Sequence, residues 1–361
     1  MTGRTAPVMH LVDTLEAGGA ERMCVQLANA MAERGRVVAV CATRRSGPLR
    51  EELDARVGFV NLGRRWRFDA AALWRLRQEV EQRGIRILHA HGTALFAAAA
   101  ASAGRREVRV VWHDHYGGLI HARSSWPYRM VRRRMAAVLA VNEELARWSR
   151  ERLGVSAERV FVVGNFATRG IGEPASGLPG TAGYRLVQVA NVRPQKDYTT
   201  MLRAMARIVR EEPRAHLLVV GACGTEGHGA EVRRLVEELG LAANVTFLGP
   251  RRDVGAVLAG CDVGVLSSAS EGLPVALLEY GEAGLAAVCT DAGACRAVLD
   301  GVGPVVRVGD DAALAEAVLA LLRDPEERVR AGGKLRERVR ARWSREAVLE
   351  RIEEAYEKAL E

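Results

Sequence analysis

Glu271 and Glu279 stand with seven residues between them, and Gly272-Leu273-Pro274-Val275 follows the first. Pro274 suits the first position of a helix, where its missing N–H is not needed and its fixed φ is already helical. On that helix Leu273, Ala276, Leu277 and Tyr280 mark the expected buried stripe. Glu279 falls off it, with Val275 and Glu282, roughly 7.5 Å along from the start. Two carboxylates thus flank a helix N-terminus whose free amides can hold an anion. A carboxylate only accepts hydrogen bonds and can take two hydroxyl donors, which suits a vicinal diol. Taken singly, each glutamate reads equally well as a solvated surface residue.

Other residues offer chemistry of a different kind. Of 52 basic residues only three are lysine, and Lys196 is the only one before residue 334. It lies in VANVRPQKDY, close to Arg193. Lysine supplies a compact, mobile point charge, suited to an anion whose charge shifts during a reaction. Gly18 and Gly19 follow the first strand-like run and precede a helix pattern; glycines there let the backbone approach a phosphate, or simply make a tight turn. Gly221-x-x-Gly224 alone is a weak signal, and the dinucleotide spacing Gly-x-Gly-x-x-Gly is absent at the first strand. Four of the eight histidines form two His-x-His pairs, His89/His91 and His113/His115. Residues two apart on a strand share a face, so each pair could grip a metal and a metal-dependent hydrolase is one reading. No matching acidic ligand set follows at later strand ends, and His89 reads better as a packed, hydrogen-bonded histidine.

These residues must be positioned by the elements around them. Short apolar runs (VMHLVD, VVAVCA, IRILHAH, VRVVWH, AAVLAV, RVFVVG, then YRLVQVA, AHLLVVG, NVTFLG, DVGVLS, AAVCTD, GPVVRVG) alternate with helix patterns such as 20–34, 198–211, 231–239 and 274–283. Continuous apolar runs are what strands covered on both faces require, and the alternation implies parallel sheets with right-handed crossovers. At 361 residues the chain is longer than one core usually supports. The Gly-, Pro- and Ser-rich stretch 167–183 reads as a linker. The expected organisation is α/β: a doubly wound domain over 1–166, the linker, a second over 184–340, and a C-terminal helix over 341–361 packing back on the first. Ligands in such folds bind outside the carboxyl ends of the strands, where the residues above fall.

Composition bounds the partners. The net charge of +8 suits an anionic small molecule, a membrane surface or nucleic acid. With 5% aromatics and no dense basic–aromatic run, nucleic acid is set aside. Residues 123–136 carry Arg129, Arg132, Arg133 and Arg134 beside Trp126 and Tyr128, which reads as a solvated face or as a basic helix docking on anionic lipid. Six scattered cysteines without a Cys-x-x-Cys pair suit a reducing compartment. The N-terminus lacks a signal-peptide pattern, and the most apolar segment, 94–101, is too short to span a bilayer. The expectation is a cytoplasmic protein with peripheral contact at the inner face of the cell membrane.

The Glu-x7-Glu spacing with Gly-Leu-Pro resembles the signature of retaining glycosyltransferases of family 4 (group 1), which have the GT-B fold: two Rossmann-like domains facing a central cleft. EAGGAERMCVQLANAMAERG, LHAHG, VWHDHYGG, LAVNEEL, VFVVGNFA, LLVVGACG, ANVTFLGPRRDV and LAGCDVGVLSS resemble further segments of that family in order along nearly the whole chain. The resemblance implies an N-domain for the acceptor and a C-domain for a nucleotide-sugar donor, with UDP favoured. It implies that Glu279 binds the ribose hydroxyls and Glu271 the donor sugar. Gly272, Leu273, Pro274 and Val275, with Gly18, Gly19, Asn191, Gly221 and Gly249, would line the donor site. His115 would stand at the reacting sugar, with His91, His113 and Tyr116 on the acceptor side. The family's arginine five residues before its lysine falls here on Asn191, so Arg193 would supply that charge from a shifted position beside Lys196. No Asp-x-Asp bridges a metal to the diphosphate, so fixed cations would neutralise it and neither cofactor nor metal is expected. The acceptor class (sugar, lipid-linked or small molecule) and the oligomeric state stay open. A sugar-nucleotide epimerase and a non-catalytic nucleotide-sugar binder are the other readings.

Overall fold

The computed structural model describes residues 6–16, 18–66, 69–116, 120, 123–166 and 172–361. The chain divides into two compact units, Met1–Asn165 with Glu346–Glu361, and Phe166–Arg345. In the first, strands β1 (Val8–Thr14), β2 (Val38–Arg45), β3 (Gly58–Asn61), β4 (Ile87–His91), β5 (Arg109–Asp114), β6 (Met135–Ala140) and β7 (Val160–Val162) form one sheet in the order β3-β2-β1-β4-β5-β6-β7. Every pairing is parallel. Helices α1 (Gly19–Glu33), α2 (Ala70–Gln82), α3 (Leu95–Ala101), α4 (Trp126–Val131) and α5 (Glu143–Leu153) lie between the strands in the chain. The sequence gives no sign of β3. It is a four-residue edge strand with only Val60 buried, so it needs no apolar run.

The second unit repeats the plan. Strands β8 (Arg185–Val189), β9 (His216–Val220), β10 (Val245–Gly249), β11 (Val263–Leu266), β12 (Ala286–Thr290) and β13 (Val305–Val306) pair in the order β10-β9-β8-β11-β12-β13. They alternate with α6 (Tyr198–Glu211), α7 (Gly227–Glu238), α8 (Val254–Ala259), α9 (Val275–Ala283), α10 (Cys295–Leu299), α11 (Asp311–Arg323) and α12 (Pro325–Trp343). Helix α6 shows the local logic. Tyr198, Met201, Leu202, Met205 and Ile208 recur at helical spacing and are fully buried, and the Asp197 side chain caps the helix by accepting from the Thr200 N–H. The last helix, α13 (Arg345–Leu360), belongs to the first unit, which it joins through buried Val348, Leu349, Ile352 and Tyr356.

The structure corrects several expectations. The tail helix starts at Arg345 rather than 341, because α12 runs on to Trp343 before Ser344 leaves helical geometry. Residues 167–171 of the expected linker lie outside the described residues; 172–183 form no helix or strand. Pro274 is the residue before α9 rather than its first. The expected stripe on α9 is also too narrow, since Ala276 through Gly281 are all buried, Glu279 among them. A second surface covers this helix: a Cβ on Gly281 would lie 2.5 Å from Val339 of α12. The basic segment 123–136 is not one helix. Six residues of α4 give way to a 3₁₀ turn at 132–134, and Met135 already opens β6. Tyr128 packs inward against Trp112, Phe96 and Trp148, leaving Trp126 and Met130 as the exposed apolar residues there.

Parallel register brings the histidines of the first unit together. His10 on β1 pairs with His89 on β4, and His91 on β4 with His113 on β5. Paired positions, and positions two apart, share a face. All five rings, His115 included, therefore pack in one row, and neighbouring centroids are 4.0–5.4 Å apart. Burial, helped by the Arg36 charge, pushes His10 down to about 3, and burial pushes His115 to about 3. Burial first, and then the neighbouring imidazoles, hold His89, His91 and His113 well below the usual histidine range. The folded protein thus keeps these rings neutral where the unfolded chain, near its ordinary 6.5, takes up protons. Their contribution to stability is complete above about pH 6.5 and falls as pH drops toward 3. The thermal unfolding midpoint should fall steadily from pH 7 to pH 5, before most carboxylates titrate; a level or rising midpoint over that window would contradict the neutral row.

Candidate functional site

In both sheets the strand order reverses at the first strand of the unit, at β1 between β2 and β4 and at β8 between β9 and β11. Loops leaving the carboxyl ends on either side of such a strand part from each other, and the crevice between them is where open α/β sheets bind ligands.

At the crevice of the second unit, the loop after β8 meets the loop after β11. Ala269 N donates to the Gln195 carbonyl at 2.9 Å, and Ser267 Oγ donates to the carbonyls of Lys196 and Asp197 at 2.9 and 3.1 Å. Across this seam Lys196 Nζ donates to Glu271 Oε1 at 2.5 Å, and Ser268 Oγ donates to the same oxygen at 2.6 Å. The two charged side chains are 23% and 9% exposed. Thr290 fixes the loop from below by donating to the Ser268 carbonyl at 2.6 Å. Gly293, at φ 54°, passes so close that a Cβ there would lie 1.9 Å from the Glu271 carbonyl oxygen. Ala294 N donates to the Gly272 carbonyl at 3.0 Å. Leu273, Pro274 and Val275 then lead into α9, and Glu279 follows at 8% exposure. Neither glutamate is a solvated surface residue. Ser267, Ser268, Thr290 and Gly293 carry no spacing signal in the sequence, because only the sheet's register brings them to this loop.

The other expected donor residues divide into two groups. Asn191 Oδ1 accepts from Ala222 N at 2.8 Å, and Gly221 N donates to the Gly249 carbonyl at 3.0 Å. Gly221, at φ 151°, has the Ala190 carbonyl oxygen 2.4 Å from where a Cβ would be. These three residues knit the ends of β8, β9 and β10, and close backbone approach is reason enough for the glycine. Arg193, by contrast, is exposed and makes no side-chain hydrogen bond or ion pair among the described residues.

In the first unit Gly18 precedes α1 with an extended backbone, and a Cβ on Gly19 would meet nothing within 4 Å. The turn's own geometry therefore does not demand glycine at Gly19. The histidine row forms two hydrogen-bonded chains. Tyr356 Oη lies 2.6 Å from His89 Nδ1, and His89 Nε2 lies 3.1 Å from His113 Nδ1. His10 Nδ1 lies 3.1 Å from His91 Nε2, and His91 Nδ1 lies 2.9 Å from His115 Nε2. Two trios have ring nitrogens close enough to share an ion, His10/His89/His91 and His91/His113/His115, and no carboxylate joins either among the described residues. Tyr116 stands apart from the row. Its ring lies under the Arg123 guanidinium, which also faces Trp112, Tyr128 and Trp148 and is ion-paired with Asp114 at 2.6 Å. Desolvation raises the Asp114 carboxyl against the opposing pull of that guanidinium.

A cavity of about 830 Å³ opens nearby in the same unit, walled by Leu62, Leu73, Leu76, Phe96 and Met130, with Arg44 and Arg64 balanced by Asp13 and Asp69 in its lining. Arg64 is ion-paired with Asp13 at the end of β1. Among the described residues no helix is long and apolar enough to cross a membrane.

Comparison with known proteins matches this architecture. Residues 17–168 match the Glycosyltransferase Family 4 model and residues 176–338 the Glycosyl transferases group 1 model. The phosphatidyl-myo-inositol mannosyltransferase of Mycobacterium leprae is 31% identical over 61% of this chain and 58% of its own length. The putative glycosyltransferase EpsF of Bacillus subtilis is 25% identical over 83% of each chain. Of four other curated relatives that it matches, the chain spans only 30–44% of the length. Among solved structures, Anabaena Alr3699/HepE in complex with UDP and glucose superposes with a TM-score of 0.83 at 18% identity, covering 96% of this chain and 98% of that one. Two parallel sheets in the GT-B arrangement of strands, and two family models that follow one another along almost the whole sequence, lead to one conclusion: the chain belongs to the family 4 glycosyltransferases of the GT-B fold.

Proposed function

We propose that the protein is a retaining glycosyltransferase that moves a sugar from a nucleoside diphosphate, UDP in the first instance, to a hydroxyl acceptor without a metal. The observation that carries this reading is the Lys196–Glu271 clasp at the second unit's crevice, with buried Glu279 behind it. An acceptor-only carboxylate on each side of a helix start suits a ligand rich in hydroxyls that also carries an anion. The UDP held by the Anabaena neighbour supports the choice of base.

In this reading Glu279 takes the ribose hydroxyls, and the sugar's hydroxyls take over Glu271. Lys196, released from Glu271, turns its ammonium to the diphosphate, joined by Arg193, which is unpaired among the described residues, and by the amides of Gly272–Val275. The acceptor oxygen attacks the anomeric carbon on the face that the phosphate leaves, and its proton passes to the departing phosphate oxygen. The cations stabilise the charge growing there, which is the electrostatic task that dominates such steps. His115, with His91 and His113 behind it, hydrogen-bonds the reacting sugar or acceptor as a neutral imidazole. Gly19, where a Cβ would meet nothing within 4 Å, leaves the start of α1 open to a phosphate, whereas the Glu21 carboxylate fills the space beside Gly18. The largely apolar cavity suits the hydrocarbon part of an amphipathic, lipid-linked acceptor, and exposed Trp126, Met130, Arg129 and Arg133 suit contact with an anionic membrane.

Incubated with UDP-sugars, lipid-linked acceptors and excess EDTA, the protein should release UDP and form a product with the donor's anomeric configuration by NMR. An inverted product, no transfer from any nucleotide sugar, or activity abolished by chelation would reject the corresponding part of the proposal. Lys196→Ala should cut turnover by at least about a hundredfold, the scale of losing one charge-stabilising group; near wild-type turnover would remove the lysine from the phosphate. Glu279→Ala should weaken UDP binding by calorimetry more than it slows turnover at saturation, and unchanged affinity would count against the ribose contact.

A further inference from the structure

The histidine row holds more nitrogen than glycosyl transfer uses. We propose that His91, His113 and His115 form a binding site for a borderline divalent ion of the zinc class. One ring nitrogen from each lies within 4.8 Å of those of the other two. His91 Nδ1 and His115 Nε2 are 2.9 Å apart, and an opening of a few tenths of an ångström would reach the ~3.3 Å that two imidazoles keep around a tetrahedral ion. His113 is fully buried; its Nδ1 faces His89, and its Nε2 has no hydrogen-bond partner among the described residues. The Val163 backbone lies near that ring without completing a bond to Nε2.

The surroundings already supply what such a ligand set needs. Metal-binding histidines are held in one tautomer and orientation by a partner on the far nitrogen. Here His10 faces the far nitrogen of His91, His89 faces that of His113, and Tyr356 in turn faces His89. The inner trio His10/His89/His91 is buried throughout, whereas His115 makes the outer trio the partly buried one. Three neutral nitrogens without a carboxylate select zinc, cobalt, nickel or copper over magnesium and calcium, and they leave a fourth position to water.

The test uses full-length, tag-free protein dialysed against chelator and titrated with Co²⁺. One equivalent should produce the intense visible absorption of four-coordinate cobalt, lost on adding one equivalent of Zn²⁺ and unaffected by excess Mg²⁺. His113→Asn and His115→Asn should each weaken Co²⁺ binding by at least about tenfold, while His216→Asn, in the other unit, should leave it unchanged. If His113→Asn fails to fold by near-ultraviolet circular dichroism, His115→Asn, at the partly buried end of the row, decides. No band in the wild type, an undiminished band in His115→Asn, or equal competition by Mg²⁺ would overturn the site. A second arm rests on the glycosyl-transfer reading: Zn²⁺ held on His115 should inhibit transfer, and a chelator should restore it. Cobalt binding without zinc inhibition would leave the ion site standing and remove His115 from the transfer chemistry.

Discussion

A parallel strand can be re-entered only from the end at which its neighbour began, so every loop leaving a carboxyl terminus emerges on the same rim. Both units of this protein are built on that constraint. It gathers Lys196, Glu271 and Gly293, spread over about a hundred residues of chain, onto one edge of the second sheet. In the first unit it lines His10, His89, His91 and His113 along one face of β1, β4 and β5. Neither grouping could survive a slip of one residue in register, since that would turn the side chains to the opposite face.

The two groupings meet the cost of burying polarity in opposite ways. The histidine row stays neutral, and its rings join in two hydrogen-bonded chains, Tyr356–His89–His113 and His10–His91–His115, which leave His10 Nε2 and His113 Nε2 without a partner among the described residues. On the rim of the second unit Lys196 and Glu271 are instead paired with each other. Losing one partner of a shielded pair leaves the other charge poorly compensated, although the partial exposure of Lys196 lets water moderate that penalty. A ligand offering both hydroxyls and negative charge could replace both halves of the pair at once.

Much of this was legible before any coordinates. Twelve of the thirteen described strands announce themselves as apolar runs, and α6 matches its periodicity end to end, because burial on both sheet faces and on one helix face leaves a strong mark. Glu271, Glu279 and Lys196 stood out by spacing and by rarity. What stayed hidden depended on contacts between distant segments. The β3 edge buries too little to show; α9 is covered on a second side by α12, which no pattern within α9 can reveal; and Tyr128 turns inward to Arg123 although Arg129 beside it is exposed. The His-x-His pairs were visible as two separate pairs, and only the β4–β5 register shows that they are one row, with His10 as its fifth member.

The scarcity of lysine has an experimental consequence. The chain's three lysines are Lys196, partly buried against Glu271, Lys334 on α12 and Lys358 on α13. Isotope labelling confined to lysine would reduce the spectrum of a 39.2 kDa protein to three side-chain signals. One of the three comes from the ammonium on the crevice of the second sheet, which makes the residue that best marks the site also its most direct spectroscopic reporter.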